Sequence, residues 1–214
     1  MKMWRRSMYT AGTASVAALV LNLAAALPAH AHHVMGGRMP STFAEGLLSG
    51  LGHPLIGIDH LAFIVAVGLA VGVAGLHLAM PAVFVAASAI GVAIHVSGVN
   101  LPGAELVVAA SVILAGGLLS TGGSVRRSLA TWVALFAIAG LFHGYAYGES
   151  ISGAERTPLW AYLLGLVIVQ TLLVTGVALL TRRSWMAALT PRLAGAVIAG
   201  VGLAVLAGQI MPAG

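Results

Sequence analysis

Cysteine is absent from this 214-residue sequence, so metal-ligating and acid–base chemistry falls mainly to eight histidines and five acids. The missing thiols exclude a disulfide framework, thiolate metal sites and cysteine nucleophiles. The acids are Glu45, Asp59, Glu105, Glu149 and Glu155, and Asp59 is the sole aspartate. It lies in the run His53-Pro54-Leu55-Ile56-Gly57-Ile58-Asp59-His60. A second run, Phe142-His143-Gly144-Tyr145-Ala146-Tyr147-Gly148-Glu149, again combines imidazole with carboxylate. Imidazole plus carboxylate without thiolate is a ligand set of intermediate hardness. It suits Ni²⁺, Co²⁺, Zn²⁺ or Cu²⁺ and is poor for Mg²⁺ or Ca²⁺.

The elements that carry these residues must live in lipid. Only 7% of the chain is charged and 60% is hydrophobic, with a mean hydropathy of +1.03. A soluble domain carries roughly a quarter charged residues. So little polar surface cannot face water, and the expected class is an all-α polytopic membrane bundle. The net charge of +5 and pI of 10.5 do not signal nucleic acid, because the basic residues flank apolar runs in the manner of membrane-orientation signals.

Lys2, Arg5 and Arg6 precede an apolar run from Ala14 to Ala26, and Pro28 precedes Ala29-His30-Ala31. This is the pattern of a secretory signal peptide over residues 1–31, with cleavage expected after Ala31. The mature chain would begin at His32-His33, a free amine beside two imidazoles that suits Ni²⁺ or Cu²⁺. Residues 32–42 would form a short periplasmic segment and 43–214 a single membrane domain.

Six apolar stretches follow, at 57–75, 79–98, 104–121, 129–147, 159–181 and 191–211, each near the ~20 residues that cross a bilayer. A cleaved signal puts the new N-terminus outside. The inside connections then carry or flank Arg126, Arg127, Arg182, Arg183 and Arg192, against Arg38 and Arg156 outside, as the positive-inside rule requires. Gly68 with Gly72, and Gly140 with Gly144 and Gly148, are small residues at helical spacing that let helices approach closely.

Pro54 removes a backbone donor and Gly57 permits an unusual dihedral angle, so a helix broken at the HPLIG segment is expected, with residues 43–52 as its first arm. Such breaks at membrane depth often line a cavity and supply ion ligands. At ~1.5 Å per residue, His143 lies roughly 8 Å below the outer end of its span, and Asp59 and His60 at a similar shallow depth. His95 and Glu105 fall at the same outer level, and His77 on the inner side. A carboxylate one turn into lipid costs about 2.5–3.5 kcal/mol, so Asp59 is expected to have a cationic partner. His53, Asp59, His60, His143 and Glu149 are the expected metal residues, with His32, His33, His95, Glu105 and His77 as accessory positions.

The two runs, with LAFIVAVGL after the first, resemble the paired signatures of the HupE/UreJ family, and the similarity spans nearly the whole chain, including PAVFVA and LPGAEL. Members are small nickel permeases that accompany hydrogenases and ureases, some of them resembling cobalt transporters. The resemblance implies uptake of Ni²⁺ or Co²⁺ across the bacterial inner membrane, with His53, Asp59, His60, His143 and Glu149 as the functional positions. Tyr145 and Tyr147 stand where members often carry a further His.

The expected function is therefore a secondary metal permease, not an enzyme. It has no permanently bound cofactor, its partners are the bilayer and a divalent ion, its link to a metalloenzyme is indirect, and self-association stays open. No G-x-x-x-x-G-K-[ST] motif is present, so this polypeptide does not hydrolyse ATP. Two other classes fit less well: a non-transporting subunit that hands metal to a membrane complex, and a zinc-dependent intramembrane hydrolase.

Overall fold

In the computed structural model, which describes residues 38–121, 128–182 and 190–211, helix is the only extended secondary structure among the described residues. The helices are α1 (Phe43–Ile56), α2 (Ile58–Val73), α3 (Pro81–Val96), α4 (Ala104–Ser120), α5 (Leu129–Gly148), α6 (Arg156–Thr181) and α7 (Thr190–Ile210), with a 3-10 turn at Glu149–Ile151. The expected signal peptide over residues 1–31, His32 and His33, and Arg126, Arg127 and Arg183 lie outside the described residues.

The N-terminus of α1 is fixed by a capping box. Thr42 Oγ1 accepts from Glu45 N at 3.2 Å, and the Glu45 carboxylate accepts from Thr42 N at 3.3 Å and Ser41 N at 2.8 Å. Glu45 is thereby occupied with holding a helix end. The chain bends by 79° between α1 and α2. The bent pair passes as one crossing by length and composition, as do α5 with its 3-10 extension, α6 and α7. The apolar helices α3 and α4 have only 16 and 17 residues. α4 matches the expected stretch 104–121 to one residue, and α3 stops two residues before the expected end at 98, where Gly98 (φ +79°) turns the chain.

Glycine contacts give the register of neighbouring helices. A Cβ on Gly46 or Gly50 would strike the Pro158 or Tyr162 backbone, and one on Gly68 or Gly72 would strike Val177 or Thr181. So α1 lies along the first part of α6 and α2 along its last part, both in the same direction. The two arms form one broken crossing matched to the 26 residues of α6. This bears out the expected helix broken at the HPLIG segment, with residues 43–52 inside its first arm and the apolar stretch from 57 as its second. In the same way Gly140, Gly144 and Gly148 abut Phe84, Ser88 and His95, making α5 parallel to α3. Gly195 and Gly202 meet Gly116 and Ile113, making α7 antiparallel to α4. The crossings alternate in direction, so α1, α4 and α6 begin at the end where α3, α5 and α7 finish. That end is called the site end below.

Helix α2 is central, packed on α1, α3, α4, α6 and α7, with Phe63, Ile64 and Val71 fully buried. Outward positions are apolar too: Trp160 is 68% exposed, Leu172 67% and Ile210 67%. An apolar exterior around an apolar core is that of a helical membrane bundle.

The packing gives a paired test. Gly91→Ala would place a methyl 2.6 Å from Tyr145 N, against backbone that cannot yield, whereas Gly117 has nothing within 4 Å of an added Cβ. Gly91→Ala is expected to lower thermal stability in detergent by about 1–3 kcal/mol. Gly117→Ala is expected to leave it unchanged or raise it by up to about 1 kcal/mol. Equal melting behaviour of the two variants would contradict this packing.

Candidate metal site

The break begins where Pro54, in the last turn of α1, offers no backbone donor. Gly57 N still donates to the His53 carbonyl at 3.2 Å, and Leu61 N donates to the Gly57 carbonyl at 2.9 Å, so one helix stops and the next starts on a single residue. Gly57 has φ −73° and ψ 107°, an extended conformation open to any residue. The expectation of an unusual dihedral is therefore not met. Glycine is needed for space, since a Cβ would meet His60 Cδ2 at 2.6 Å.

Asp59 occupies the first turn of α2, and its Oδ1 accepts from His60 N at 2.8 Å. A carboxylate at a helix N-terminus faces backbone donors that have no helical partner, and the macrodipole favours its charge. This offsets part of the cost of burying it, at 9% exposure.

The same turn aims His60 at α5. His60 Nδ1 lies 2.9 Å from His143 Nδ1, and His143 Nε2 lies 2.9 Å from Ser111 Oγ on α4. Ser111 donates its own proton to the Val108 carbonyl at 2.7 Å. With neutral rings this fixes the tautomers: His143 donates from Nε2 to Ser111 and accepts at Nδ1 from His60. A neutral His60 that donates from Nδ1 carries its lone pair on Nε2. The Phe63 ring stacks on His143 with centroids 4.4 Å apart, which fixes the plane of a side chain that is fully buried.

Across the break, His53 Nδ1 lies 2.9 Å from both Ser150 Oγ and the Tyr162 hydroxyl. Those two hydroxyls donate to the Tyr147 carbonyl at 3.1 and 2.9 Å. The Tyr147 ring fills the angle between the imidazoles, 4.3 Å from His60 and 5.1 Å from His53, whose own centroids are 6.0 Å apart. Beneath it, Gln170 Nε2 donates to Ser88 Oγ at 3.1 Å, both residues being fully buried. Each imidazole is thus held by hydroxyls or a second ring, as polar groups at this depth require.

His53, Asp59, His60 and His143 are brought to one helix break from α1, α2 and α5. Glu149 is not with them: it opens the 3-10 turn and lines a cavity at the site end with His95 and Glu105. His77 sits at the opposite end, its Nδ1 accepting from Ala79 N at 3.1 Å. Among the described residues no three His, Asp or Glu side chains stand close enough to close on one ion. His143 lies five residues before the end of α5 at Gly148, roughly 8 Å along its helix, as expected, while α6 extends further beyond it. Tyr162 meets the end of α5 six residues into α6, roughly 9 Å along that helix. His143 is a further turn inward, beside the middle of α6.

Sequence reasoning missed Ser111, Ser150, Tyr162, Ser88 and Gln170. Gln170 had a signal, being an amide in the middle of an apolar run; the hydroxyls had none. Tyr145 holds a loop, its hydroxyl accepting from Leu101 N and donating to the Val99 carbonyl, both at 3.0 Å.

Gly57→Ala tests the geometry. Its methyl displaces the His60 ring while leaving the backbone conformation accessible, so Ni²⁺ affinity of the purified protein is expected to fall by about tenfold, equivalent to about 1.4 kcal/mol, with a near-normal melt. Unchanged affinity by equilibrium dialysis would show that the position of His60 does not matter.

Comparison with known proteins bears on what this arrangement belongs to. The family described as HupE / UreJ protein matches residues 18–205. The protein called "Protein HupE" from Rhizobium leguminosarum bv. viciae is 31% identical over 204 residues, covering 94% of this chain and 99% of that protein. No solved structure matches the chain. With a family match across most of its length and a full-length relative of this identity, the chain belongs to the HupE/UreJ family.

Proposed function

We propose that this protein is a secondary permease that takes up a divalent transition metal, Ni²⁺ first and Co²⁺ next, across the bacterial inner membrane. The observation that carries the reading is the gathering of His53, His60, His143 and Asp59 around a helix break inside an apolar bundle. Three imidazoles and a carboxylate suit an ion of intermediate hardness, and the carboxylate supplies charge that neutral rings lack. Family membership agrees with a nickel- or cobalt-handling role, and the link to a hydrogenase or urease would be indirect.

Orientation follows from charge. Arg182, which donates to the Leu76 carbonyl, and Arg192 lie at the end opposite the site, while Arg38 and Arg156 lie at the site end. By sequence, Arg126, Arg127 and Arg183 also fall in the connections opposite the site, and five arginines against two support an external site end under the positive-inside rule.

Loading the ion competes with the bond between the two imidazoles. A cation that takes the His143 Nδ1 lone pair displaces the His60 proton from it, so binding is coupled to rotation of His60 and release of the α2–α5 contact. Inward of the cluster lie Phe84, Phe136 and Trp132, all buried and apolar. Passage therefore requires helices to move, as in alternating access about a fixed mid-bundle site. Binding must be firm enough to strip water and weak enough to release, which a few imidazoles meet better than a closed cage.

Asp59→Asn is expected to abolish radiolabelled Ni²⁺ accumulation in cells while membrane levels stay normal; normal uptake by this variant would remove Asp59 from the site. In proteoliposomes the wild type is expected to carry Ni²⁺ without a partner protein. Retained binding without flux would favour the accessory-subunit role instead.

A further inference from the structure

His53 is the contribution of α1 to the cluster, and its ring is gripped by two hydroxyls to which metal uptake alone gives no task. The grip starts from a helix end. Tyr147 is the last residue but one of α5, where a helix leaves carbonyls short of backbone donors. Ser150 in the 3-10 turn and Tyr162 in the second turn of α6 both reach that carbonyl, at 3.1 and 2.9 Å. His53 Nδ1 completes the group, 2.9 Å from each hydroxyl oxygen. All three side chains are buried, so their polar atoms must satisfy one another.

Counting protons decides who donates. The four contacts just given each need one, and the two hydroxyls supply one apiece. Were Nδ1 an acceptor, one hydroxyl would have to turn to it and away from the carbonyl. Two of the four contacts would then press lone pair against lone pair. With a proton on Nδ1, the N–H is shared between both hydroxyl oxygens, as a three-centre bond allows. Each hydroxyl then donates to the Tyr147 carbonyl, whose two lone pairs receive them. Every contact is filled. The approach of Ser150 Oγ to the Tyr162 hydroxyl, at 3.3 Å, is the longest in the group and needs no proton of its own.

Nδ1 of His53 is thereby committed to the protein. Whatever Nε2 holds beforehand, it is the nitrogen left to meet a cation, because the bond made by one ring nitrogen decides which of the two ligates. The same device recurs at His143 with the opposite nitrogen. Ser111 passes its proton to the Val108 carbonyl, so towards His143 Nε2 it can only accept. In both places a hydroxyl spends its proton on a backbone carbonyl and turns a lone pair to the imidazole. The grip on His53 is also firm in the backbone. Gly50, one turn before His53, lies against the Tyr162 backbone, so α1 and α6 cannot shift there without parting the hydroxyl from the ring.

We propose that Tyr162 and Ser150 are positioning residues that hold a proton on His53 Nδ1 and so present Nε2 to the transported cation. They act through the imidazole and need not touch the ion. The inference rests on the permease reading for the ion, and on the hydroxyl group alone for the place of the proton. Without the two hydroxyls the proton can sit on either nitrogen, and the ring must be sorted into the ligating form each time an ion arrives.

Nitrogen NMR of the purified, metal-free, full-length protein in detergent, isotope-labelled in histidine, separates protonated from bare ring nitrogens. The His53 signals are those lost in His53→Ala. The wild type is expected to carry a proton on Nδ1. Tyr162→Phe/Ser150→Ala is expected to spread the proton over both nitrogens, and to bind Ni²⁺ about tenfold more weakly in equilibrium dialysis. A bare Nδ1 on wild-type His53 overturns the proposal, as does a double variant with wild-type affinity. Weaker binding with the proton still on Nδ1 would make the hydroxyls merely structural and overturns it too. Should the double variant fail to fold, Tyr162→Phe and Ser150→Ala are measured singly. Each is expected to lose about threefold in affinity and part of the Nδ1 preference, and wild-type values in both contradict the proposal. A proton held on Nδ1 by the hydroxyls in a protein that binds no Ni²⁺ would uphold the lock and sink the permease reading, so the two failures are told apart.

Discussion

The arrangement depends on a hydrogen bond between two imidazoles, His60 and His143, both of them buried. An unpaired polar group there would cost several kcal/mol, so each ring must be satisfied by the protein or by an ion. His143 has Ser111 on one nitrogen and His60 on the other. His60 can reach it only because α2 starts afresh at Gly57, with its first turn aimed across the bundle. A continuous helix from Phe43 to Val73 would point that ring elsewhere. The break, the glycine and the ring pair are one device.

Close packing makes the device rigid. Gly144, adjacent to His143, lies against the Ser88 backbone, and Gly50 lies against the Tyr162 backbone one turn from His53. Each imidazole is therefore borne on a helix that touches its neighbour at glycine, so its position is set by backbone contact and not by flexible side chains. In lipid, where apolar surface gives helices little reason to associate, such contacts and buried polar bonds carry the assembly. The same economy limits the site. With the rings bonded to one another and to hydroxyls, the state described is closed, and an ion must trade its own bonds for those already made.

Much of this was legible in residue types. Asp59-His60 and His143 stood out because charged and imidazole groups in apolar runs are costly and seldom idle, and the structure joins His60 to His143. The small-residue rows at Gly68, Gly72, Gly140, Gly144 and Gly148 correctly marked the close contacts. Depth arithmetic failed for Glu149 because rise per residue gives a level, not a face. Glu149 follows the end of α5 in a 3-10 turn and looks to the other side of the bundle. The hydroxyls of Ser111, Ser150 and Tyr162 were invisible because such residues are common in apolar helices. Only the partner across the bundle gives them meaning.

The claim that these imidazoles form one cation site is tested most directly by X-ray absorption at the nickel edge of the purified, Ni²⁺-loaded protein. The account predicts a nitrogen/oxygen first shell with the outer-shell scattering of at least two imidazole rings, reduced on replacing His143 with alanine. A shell of water and carboxylate oxygens alone, the same in both proteins, would contradict it.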